Sequence, residues 1–160
     1  MTQWNSPGQA ERFVSTYADP ILRLSLTYSL TREDAQDICQ DIFLKLLEEG
    51  REFQDLEHEK AFVLRAAINR CKDLLKSARR RRNVPMEEAE RLPAPPAEAG
   101  ELLERIRALP EHYGAALYLF YYEGYSLDEV ARLCGCSPAA ARKRLSRSRK
   151  LLAKELEVEA

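Results

Sequence analysis

Residues 125–152, YSLDEVARLCGCSPAAARKRLSRSRKLL, decide the fold of this chain. The spacing of apolar residues in this stretch predicts two helices joined by a tight turn. Ser126 is placed to cap the first helix, and Gly135 supplies the residue that tolerates positive φ in the turn. Ser137 can cap the second helix, whose first position is Pro138, where no backbone N–H is missed. The stretch therefore predicts a helix-turn-helix.

The second helix of this motif has two chemically different faces. At about 100° per residue, Ala141, Leu145, Ser148 and Leu152 share one side. Residues 137–154 contain seven Lys or Arg and no acid. A basic second helix with one apolar stripe is typical of a helix that enters the major groove of DNA; the alternative is a solvated basic helix. The candidate groove-facing residues are Arg142, Lys143, Arg144, Ser146, Arg147, Arg149 and Lys150.

Composition limits the classes of protein to consider. The chain is 45% hydrophobic and 32% charged, with a net charge of −1, which favours a soluble globular protein. No apolar run reaches the about 20 residues that span a bilayer. The first residues also lack the pattern of a signal peptide. We therefore expect a cytoplasmic protein without membrane insertion.

Cysteine and histidine spacing gives no metal signal. Cys134 and Cys136 form one short pair without a second pair at ligand spacing, and His58 and His112 are distant in sequence. The chain also contains no Gly-rich phosphate loop and no Ser/His/Asp set. The sequence therefore predicts a protein without a cofactor or metal that is not an enzyme.

Residues 31–50, TREDAQDICQDIFLKLLEEG, predict a helix capped by Thr31 and ended by Gly50. One stripe is assigned to the core: Ala35, Ile38, Ile42 and Leu46. Acids and further apolar residues lie away from this stripe. A helix that is apolar on two sides is either buried on both or docks a partner, and periodicity leaves both open. The acids Asp34, Asp37, Asp41 and Glu48 lie on another face, and the second apolar group, Phe43, Leu44 and Leu47, lies beside Gln40.

Residues from about 59 to 81 predict a longer helix with a basic exposed face. Its core stripe is Ala61, Leu64, Ile68, Cys71 and Leu75. Aromatic rings stack on unpaired bases, amides read base edges and cations hold the backbone, so the other face suits single-stranded nucleic acid. The alternative is an ordinary solvated helix. The candidate residues are Phe62, Arg65, Asn69, Lys72 and Lys76, followed by a run of arginines that includes Arg79 and Arg80.

The remaining segments complete the organisation. Residues 9–29 predict a helix or helix pair that Pro20 kinks or interrupts. Residues 84–100 include LPAPP and lack apolar periodicity, which predicts a flexible linker and a domain boundary. Residues 110–124 predict a helix whose aromatic residues form the core under the helix-turn-helix. These aromatic residues are Tyr113, Tyr118, Phe120, Tyr121 and Tyr122.

The order of these blocks resembles the extracytoplasmic-function sigma factors of bacterial RNA polymerase, in the sigma-70 family. The resemblance covers residues 10–155. It implies an all-α fold of two small helical domains, the region 2 bundle over 1–83 and the region 4 helix-turn-helix over 101–160, joined by the linker 84–100. It also implies a protein that binds core RNA polymerase, directs it to specific promoters and helps open the DNA.

The resemblance assigns a role to each helix. The helix DAQDICQDIF is similar to the surface that docks on the β′ clamp helices, with Gln40 and Asp41 matching the family's Gln-Glu pair. The helix that begins near Phe62, with the loop 51–60 before it, is similar to the reader of the −10 element. The helix that begins at Ser137 is similar to the reader of the −35 element. The implied partners also include the β flap, promoter DNA and an anti-sigma factor.

Individual positions match the family pattern or depart from it. Arg65 and Asn69 fall on the family's arginine and asparagine, whereas Phe62 stands where a tryptophan is common. In the −35 reader, Ala140 replaces a frequent threonine and Lys143 a frequent serine. The basic positions that match there are Arg142, Arg144, Arg147 and Arg149.

Two other classes of protein compete with this interpretation. One is a helix-turn-helix transcriptional regulator whose helical N-terminal part acts as a sensor or dimerisation domain and does not bind core polymerase. Such a regulator needs a symmetric dimer, and the chain shows no heptad repeat to form one. The other is an interaction module that does not bind DNA, which the basic second helix argues against.

Overall fold

Helices form all the long secondary-structure elements in the described part of the chain. The computed structural model describes residues 4, 6–82, 109 and 111–159, and the side chains within them except those of 78–82, 111, 112 and 154–159. No strand occurs among these residues, which confirms the all-α prediction. The linker predicted at 84–100 lies outside them. The helices are α1 (Gln9–Thr27), α2 (Arg32–Glu49), α3 (Leu56–Arg82), α4 (Glu111–Leu117), α5 (Leu127–Cys134) and α6 (Pro138–Glu159).

Helix α1 runs through Pro20 without a break. Of the two predicted effects of Pro20, the interruption is therefore wrong, and the kink stays a prediction. A proline removes one backbone donor from a helix, but here large side chains on both sides of it are anchored in the core. The anchored side chains on α1 include Phe13, Tyr17, Ile21 and Leu24.

Helix α2 begins and ends at the predicted residues. The Thr31 hydroxyl accepts a hydrogen bond from the Asp34 amide at 3.1 Å, and the Asp34 carboxylate accepts one from the Thr31 amide at 3.0 Å. Gly50 ends the helix at φ 59°, in the left-handed region that favours glycine. The predicted core stripe Ala35, Ile38, Ile42 and Leu46 is buried, and burial contributes about 1.5–3 kcal/mol for each large side chain.

Helix α3 begins at Leu56, three residues before the predicted start near Glu59. The cause is Asp55, whose carboxylate accepts a hydrogen bond from the His58 amide at 2.8 Å and so caps the helix. Most of the predicted core stripe is buried, and Ala61 is half-buried. The buried members are Leu64, Ile68, Cys71 and Leu75.

A buried carboxylate joins α1 to the first turn of α3. Glu59 is 2% exposed and accepts two hydrogen bonds from the Arg12 guanidinium, at 2.9 and 3.1 Å. The Tyr17 hydroxyl donates a third. Burial, together with this bond, raises the pKa of Tyr17. A charged group is tolerated inside a protein only when its hydrogen bonds are made in this way, so the triad fixes how α3 begins against α1.

Helix α4 passes directly into a π-helical turn, Tyr118–Tyr122. The wider turn changes which side chains face inward. Tyr118 is fully buried, but Tyr121 and Tyr122 are 56% and 47% exposed. The prediction that the aromatic residues of this segment form the core is therefore wrong for these two. We call α1–α3 the N-terminal bundle and α4–α6, with the π-helical turn, the C-terminal unit.

Candidate nucleic-acid interface

The helix-turn-helix is built as the sequence predicts. The Ser126 hydroxyl accepts a hydrogen bond from the Glu129 amide at 3.2 Å, and the Ser137 hydroxyl accepts one from the Ala140 amide at 3.1 Å. Each such cap contributes about 1 kcal/mol. Gly135 sits between the helices at φ 71°. These local features fix the direction in which α6 leaves α5.

Helix α6 separates its faces as predicted. Ala141, Leu145 and Ser148 are buried. The Ser148 hydroxyl bonds the carbonyls of Arg144 and Tyr113 at 2.6 and 3.0 Å, which satisfies a polar group inside the unit. Arg144 is half-buried. The other candidate residues are exposed along the helix: Arg142, Lys143, Ser146, Arg147, Arg149 and Lys150.

Two of the exposed arginines contact the aromatic residues of their own unit. The Arg147 guanidinium donates a hydrogen bond to the Tyr113 hydroxyl at 3.1 Å. The Arg149 guanidinium lies 5.7 Å from the Phe120 ring centroid and 5.3 Å from that of Tyr121. Such contacts hold a cation in place but direct part of its surface inward. The basic face of α6 therefore has an outer part, which includes Arg142, and a part whose arginines contact aromatic residues of the C-terminal unit.

The basic face predicted on α3 is only partly exposed. Asn69 and Lys76 are exposed, whereas Phe62, Arg65 and Lys72 are half-buried. The backbone of α3 continues through Arg79 and Arg80, but their side chains lie outside the described part. The face thus carries the ring, the amide and the cations in the order that the spacing predicts.

A cleft of about 510 Å³ opens beside Phe62. The segment 51–54 forms one wall, and His58, Ala61, Phe62 and Arg65 of α3 form another. Arg132 and Leu133 of α5, in the C-terminal unit, complete the lining. The Phe53 ring centroid lies 5.4 Å from that of Phe62. The Arg51 guanidinium lies 4.5 Å from the Phe62 ring. Aromatic rings flanked by cations can take up an unpaired base by stacking.

Sequence reasoning missed a direct contact between the bundle and the unit. Arg65 donates a hydrogen bond to the Leu133 carbonyl at 2.7 Å, and Lys72 donates one to the Cys134 carbonyl at 2.8 Å. Both carbonyls belong to the last turn of α5, where the helix dipole is negative. Burial lowers the pKa of Lys72, and the neighbouring Arg65 and Arg144 act in the same direction.

Two further pairs join the same halves of the molecule. Lys60 of α3 forms an ion pair with Glu123 at 2.5 Å, and Glu123 is only 8% exposed. The Arg23 guanidinium of α1 lies 5.4 Å from the Tyr122 ring centroid. Together with Arg65–Leu133 and Lys72–Cys134, these pairs form what we call the bundle–unit contact.

The second face of α2 is exposed. Leu44 is 46% exposed, which excludes burial on both sides of this helix. Asp37 and Gln40 are exposed, Leu47 is half-buried, and Asp34 takes part in the helix cap. Asp41 pairs with Arg70 of α3 at 2.8 Å. The face is therefore an acidic surface with an apolar centre.

Two of the cysteines are deeply buried, and the described residues form neither a metal-binding group nor a membrane-spanning helix. Burial raises the pKa of Cys134 to about 11 and that of Cys71 to about 12, so both thiols are neutral near pH 7. No group of three or more His, Cys, Asp or Glu side chains that could hold a metal ion occurs in the described ranges. Within the same ranges, no helix is long and apolar enough to cross a membrane.

The family model described as sigma-70 region 2 matches residues 13–81, and the model described as sigma-70, region 4 matches residues 99–152. The first match covers most of the N-terminal bundle and the second covers the helix-turn-helix. The chain belongs to the sigma-70 family.

Proteins with similar sequences are named as sigma factors of RNA polymerase. The chain is 28% identical over 137 residues to the ECF RNA polymerase sigma factor SigM of Mycobacterium tuberculosis, covering 84% of this chain and 70% of that one. It is 28% identical over 162 residues to the RNA polymerase sigma-H factor of Pseudomonas aeruginosa, covering 90% and 84%. The sigma factor RpoE, in a co-crystal structure with the anti-sigma factor NepR from Bartonella quintana, superposes with a TM-score of 0.71 at 20% identity, over 96% of this chain and 99% of that one. This last likeness concerns the fold.

Proposed function

We propose that this chain is a sigma factor of the extracytoplasmic-function type, which binds core RNA polymerase in the cytoplasm, directs it to specific promoters and helps open the DNA. The observation that carries the proposal is the pair of different basic surfaces on one chain. Helix α6 suits a duplex groove, and α3 with its cleft suits unpaired bases. The chain supplies recognition only, and phosphodiester chemistry belongs to the polymerase. Region 2 spans 1–83, the linker 84–100 and region 4 101–160.

Helix α6 reads the −35 element as duplex DNA. A recognition helix contacts base edges mainly through its N-terminal residues, and cations further along hold phosphates. Arg142 and Lys143 lie in the second turn of α6 and are exposed, so they take the base edges in this proposal. The other members of the surface position the helix on the backbone: Arg144, Ser146, Arg147, Arg149 and Lys150.

Helix α3 reads the −10 element as a single strand. Extracting a base costs a few kcal/mol, and stacking on aromatic side chains contributes roughly 1–3 kcal/mol per base. The half-buried Phe62 ring, which packs against the Phe53 ring, supplies the stacking surface. The amide of Asn69 reads a base edge, and the cations hold the strand: Arg65, Lys72, Lys76, Arg79 and Arg80.

The acidic and apolar face of α2 docks on the β′ clamp helices of core polymerase. The exposed Leu44 and the half-buried Leu47 lie at its centre, where apolar anchors contribute most to binding. The rim carries Asp34, Asp37, Gln40 and Asp41, which favour a basic partner. The C-terminal unit contacts the β flap. A relative crystallised with an anti-sigma factor supports regulation of this chain by such a protein.

Transcription in vitro tests the proposal directly. Core polymerase is mixed with a randomised promoter library, with and without the purified chain. We expect new transcripts only when the chain is present, from templates that share two conserved elements separated by a fixed spacing. Binding to palindromic duplex DNA without any stimulation of core polymerase would instead support the helix-turn-helix regulator.

Two changes on α2 test the docking surface. Asp41→Lys and Gln40→Ala should leave the protein folded, because an exposed pair such as Asp41–Arg70 contributes only about 0–1 kcal/mol. Both should weaken core polymerase binding, and Asp41→Lys more strongly because it brings like charges together. Glu11→Lys, an equal charge change at an exposed position of α1, is the control. Lower melting temperatures with unchanged polymerase affinity would show that this face is structural.

A further inference from the structure

Trp4 is buried although it lies before the first helix of the bundle. Its side chain is 2% exposed. Its ring meets those of Phe13, Phe43 and Phe53 edge-on, with centroid distances of 6.2, 6.3 and 6.4 Å. Edge-to-face packing of this kind is favourable beyond simple burial. Trp4 is thereby fixed in a cage that includes one residue, Phe53, of the segment between α2 and α3.

The indole N–H of Trp4 also binds that segment. It donates a hydrogen bond to the Arg51 carbonyl oxygen at 2.8 Å. The segment 51–53 has no helical structure of its own, and a backbone carbonyl outside regular structure requires a partner from elsewhere. Trp4 supplies one from 47 positions away in the sequence. The bond therefore holds the start of the segment against the bundle.

The two residues that Trp4 holds are among those that face Phe62. The Arg51 side chain lies over the Phe62 ring at 4.5 Å, and the Phe53 ring packs against it at 5.4 Å. Both residues line the cleft. Trp4 itself does not line the cleft. It contacts the wall from behind, through the Arg51 backbone and the Phe53 ring.

A second link ties Trp4 to the other wall. The Arg12 guanidinium lies 5.2 Å from the Trp4 ring centroid and also forms the double hydrogen bond with the buried Glu59 of α3. The segment and α3 are thus both linked to the same indole, the segment directly and α3 through Arg12. A change in that ring alters the separation of the two walls without altering either wall's own residues.

We propose that Trp4 is a positioning residue for base capture, fixing the wall formed by Arg51 and Phe53 and so setting which unpaired base the cleft beside Phe62 accepts. The inference rests on the proposed function, in which this cleft receives a base of the −10 element. Selectivity depends on the placement of the wall because stacking accepts every base, whereas polar groups at fixed positions distinguish base edges.

The test measures selectivity, which a loss of folded protein leaves unchanged. The full chain is assembled with core polymerase and bound to promoter probes that contain a pre-opened bubble. Each unpaired position of the non-template strand is varied through all four bases, and the ratio of dissociation constants between the best and the worst base is recorded. The variants are Trp4→Phe, which keeps a ring but loses the N–H donor, and Trp4→Ala. Leu24→Ala removes a buried side chain of α1 that is not part of the aromatic cage and does not line the cleft, and it serves as control.

We expect Trp4→Phe to reduce the selectivity ratio at one position about two- to tenfold, the effect of losing one hydrogen bond, with ratios elsewhere unchanged. Leu24→Ala should lower the melting temperature and keep all ratios. Unchanged ratios in Trp4→Phe would overturn the proposal, even if Trp4→Ala fails to fold. Phe62→Ala separates this failure from that of the proposed function, because a bubble affinity insensitive to Phe62→Ala would contradict base capture itself.

Discussion

The two basic helices differ in what their cations contact within the chain. On α3, Arg65 and Lys72 donate hydrogen bonds to the carbonyls of Leu133 and Cys134 in the C-terminal unit. On α6, Arg142, Lys143 and Lys150 are exposed along the helix. The basic face of α3 is therefore bound in part to the C-terminal unit, whereas much of the basic face of α6 faces outward.

This difference predicts different binding by the two surfaces in the free protein. Carbonyls at the end of α5 offer Arg65 and Lys72 the kind of acceptor that a phosphate would offer. A strand can reach these cations only in molecules whose bundle–unit contact is open, so its apparent affinity falls in proportion to the open fraction. A duplex on α6 carries no such cost. We expect the free chain to bind −35 duplex more readily than −10 single strand.

The largest expected effect is at Arg142. Arg142→Ala should weaken binding of the free chain to a −35 duplex by about 1–3 kcal/mol if the guanidinium contacts a base. Arg149→Ala should cost less, because that guanidinium is partly engaged with Phe120 and Tyr121. Fluorescence anisotropy of the labelled duplex measures both affinities. Equal losses in the two variants would show that α6 presents its face in another orientation.

An intermediate effect is expected at Glu123. The Tyr118 hydroxyl donates a hydrogen bond to the Glu123 carboxylate at 2.6 Å. Glu123→Gln keeps an oxygen that can accept this bond but removes the ion pair with Lys60. Loss of the ion pair should weaken the bundle–unit contact by about 1 kcal/mol. The affinity of the free chain for a −10 single strand should then rise about fivefold. Duplex affinity should not change. A variant that binds the strand no better than the parent would mean that this contact does not limit access to α3.

The smallest effect is expected at Tyr122, where the neighbouring residue is a matched control. Tyr122→Ala removes the ring under Arg23, and a partly exposed cation–π pair contributes about 0.5–1 kcal/mol, or roughly two- to fivefold in strand affinity. Tyr121→Ala removes an equally large exposed ring whose cation, Arg149, belongs to the C-terminal unit itself. Only Tyr122→Ala should strengthen strand binding. The same gain in both variants would point to a general loosening of the π-helical turn.

Local signals explain what could be predicted from the sequence. Thr31, Ser126 and Ser137 cap helices, and Gly50 and Gly135 end them, because each acts on amides or dihedral angles within four residues of itself. Apolar stripes on α2, α3 and α6 were predictable for the same reason, since their periods are local. The faces that carry the candidate DNA-binding residues were predictable for the same reason, because they lie opposite the apolar stripes, whereas the role of these residues stays a prediction.

Features that depend on distant parts of the chain were not predictable. The bond from Arg65 to Leu133 joins residues 68 positions apart and uses a main-chain carbonyl, which no residue pattern reveals. The bond from Trp4 to Arg51 likewise joins distant residues, 47 positions apart, and uses a main-chain carbonyl. The exposure of Tyr121 and Tyr122 follows from a π-helical turn, which shifts the period that the pattern assumed. A single tryptophan in the chain was the one available signal for the cleft wall.

Base preference during transcription shows whether α3 and α6 read different promoter elements. Polymerase assembled with the parent chain, with Asn69→Ala or with Arg142→Ala selects active templates from the same randomised promoter library, and the templates are sequenced. We expect Asn69→Ala to flatten base preference in the −10 element alone and Arg142→Ala to flatten it in the −35 element alone. Loss of preference in the opposite element, or in both elements, with either variant would show that the two helices do not read separate elements.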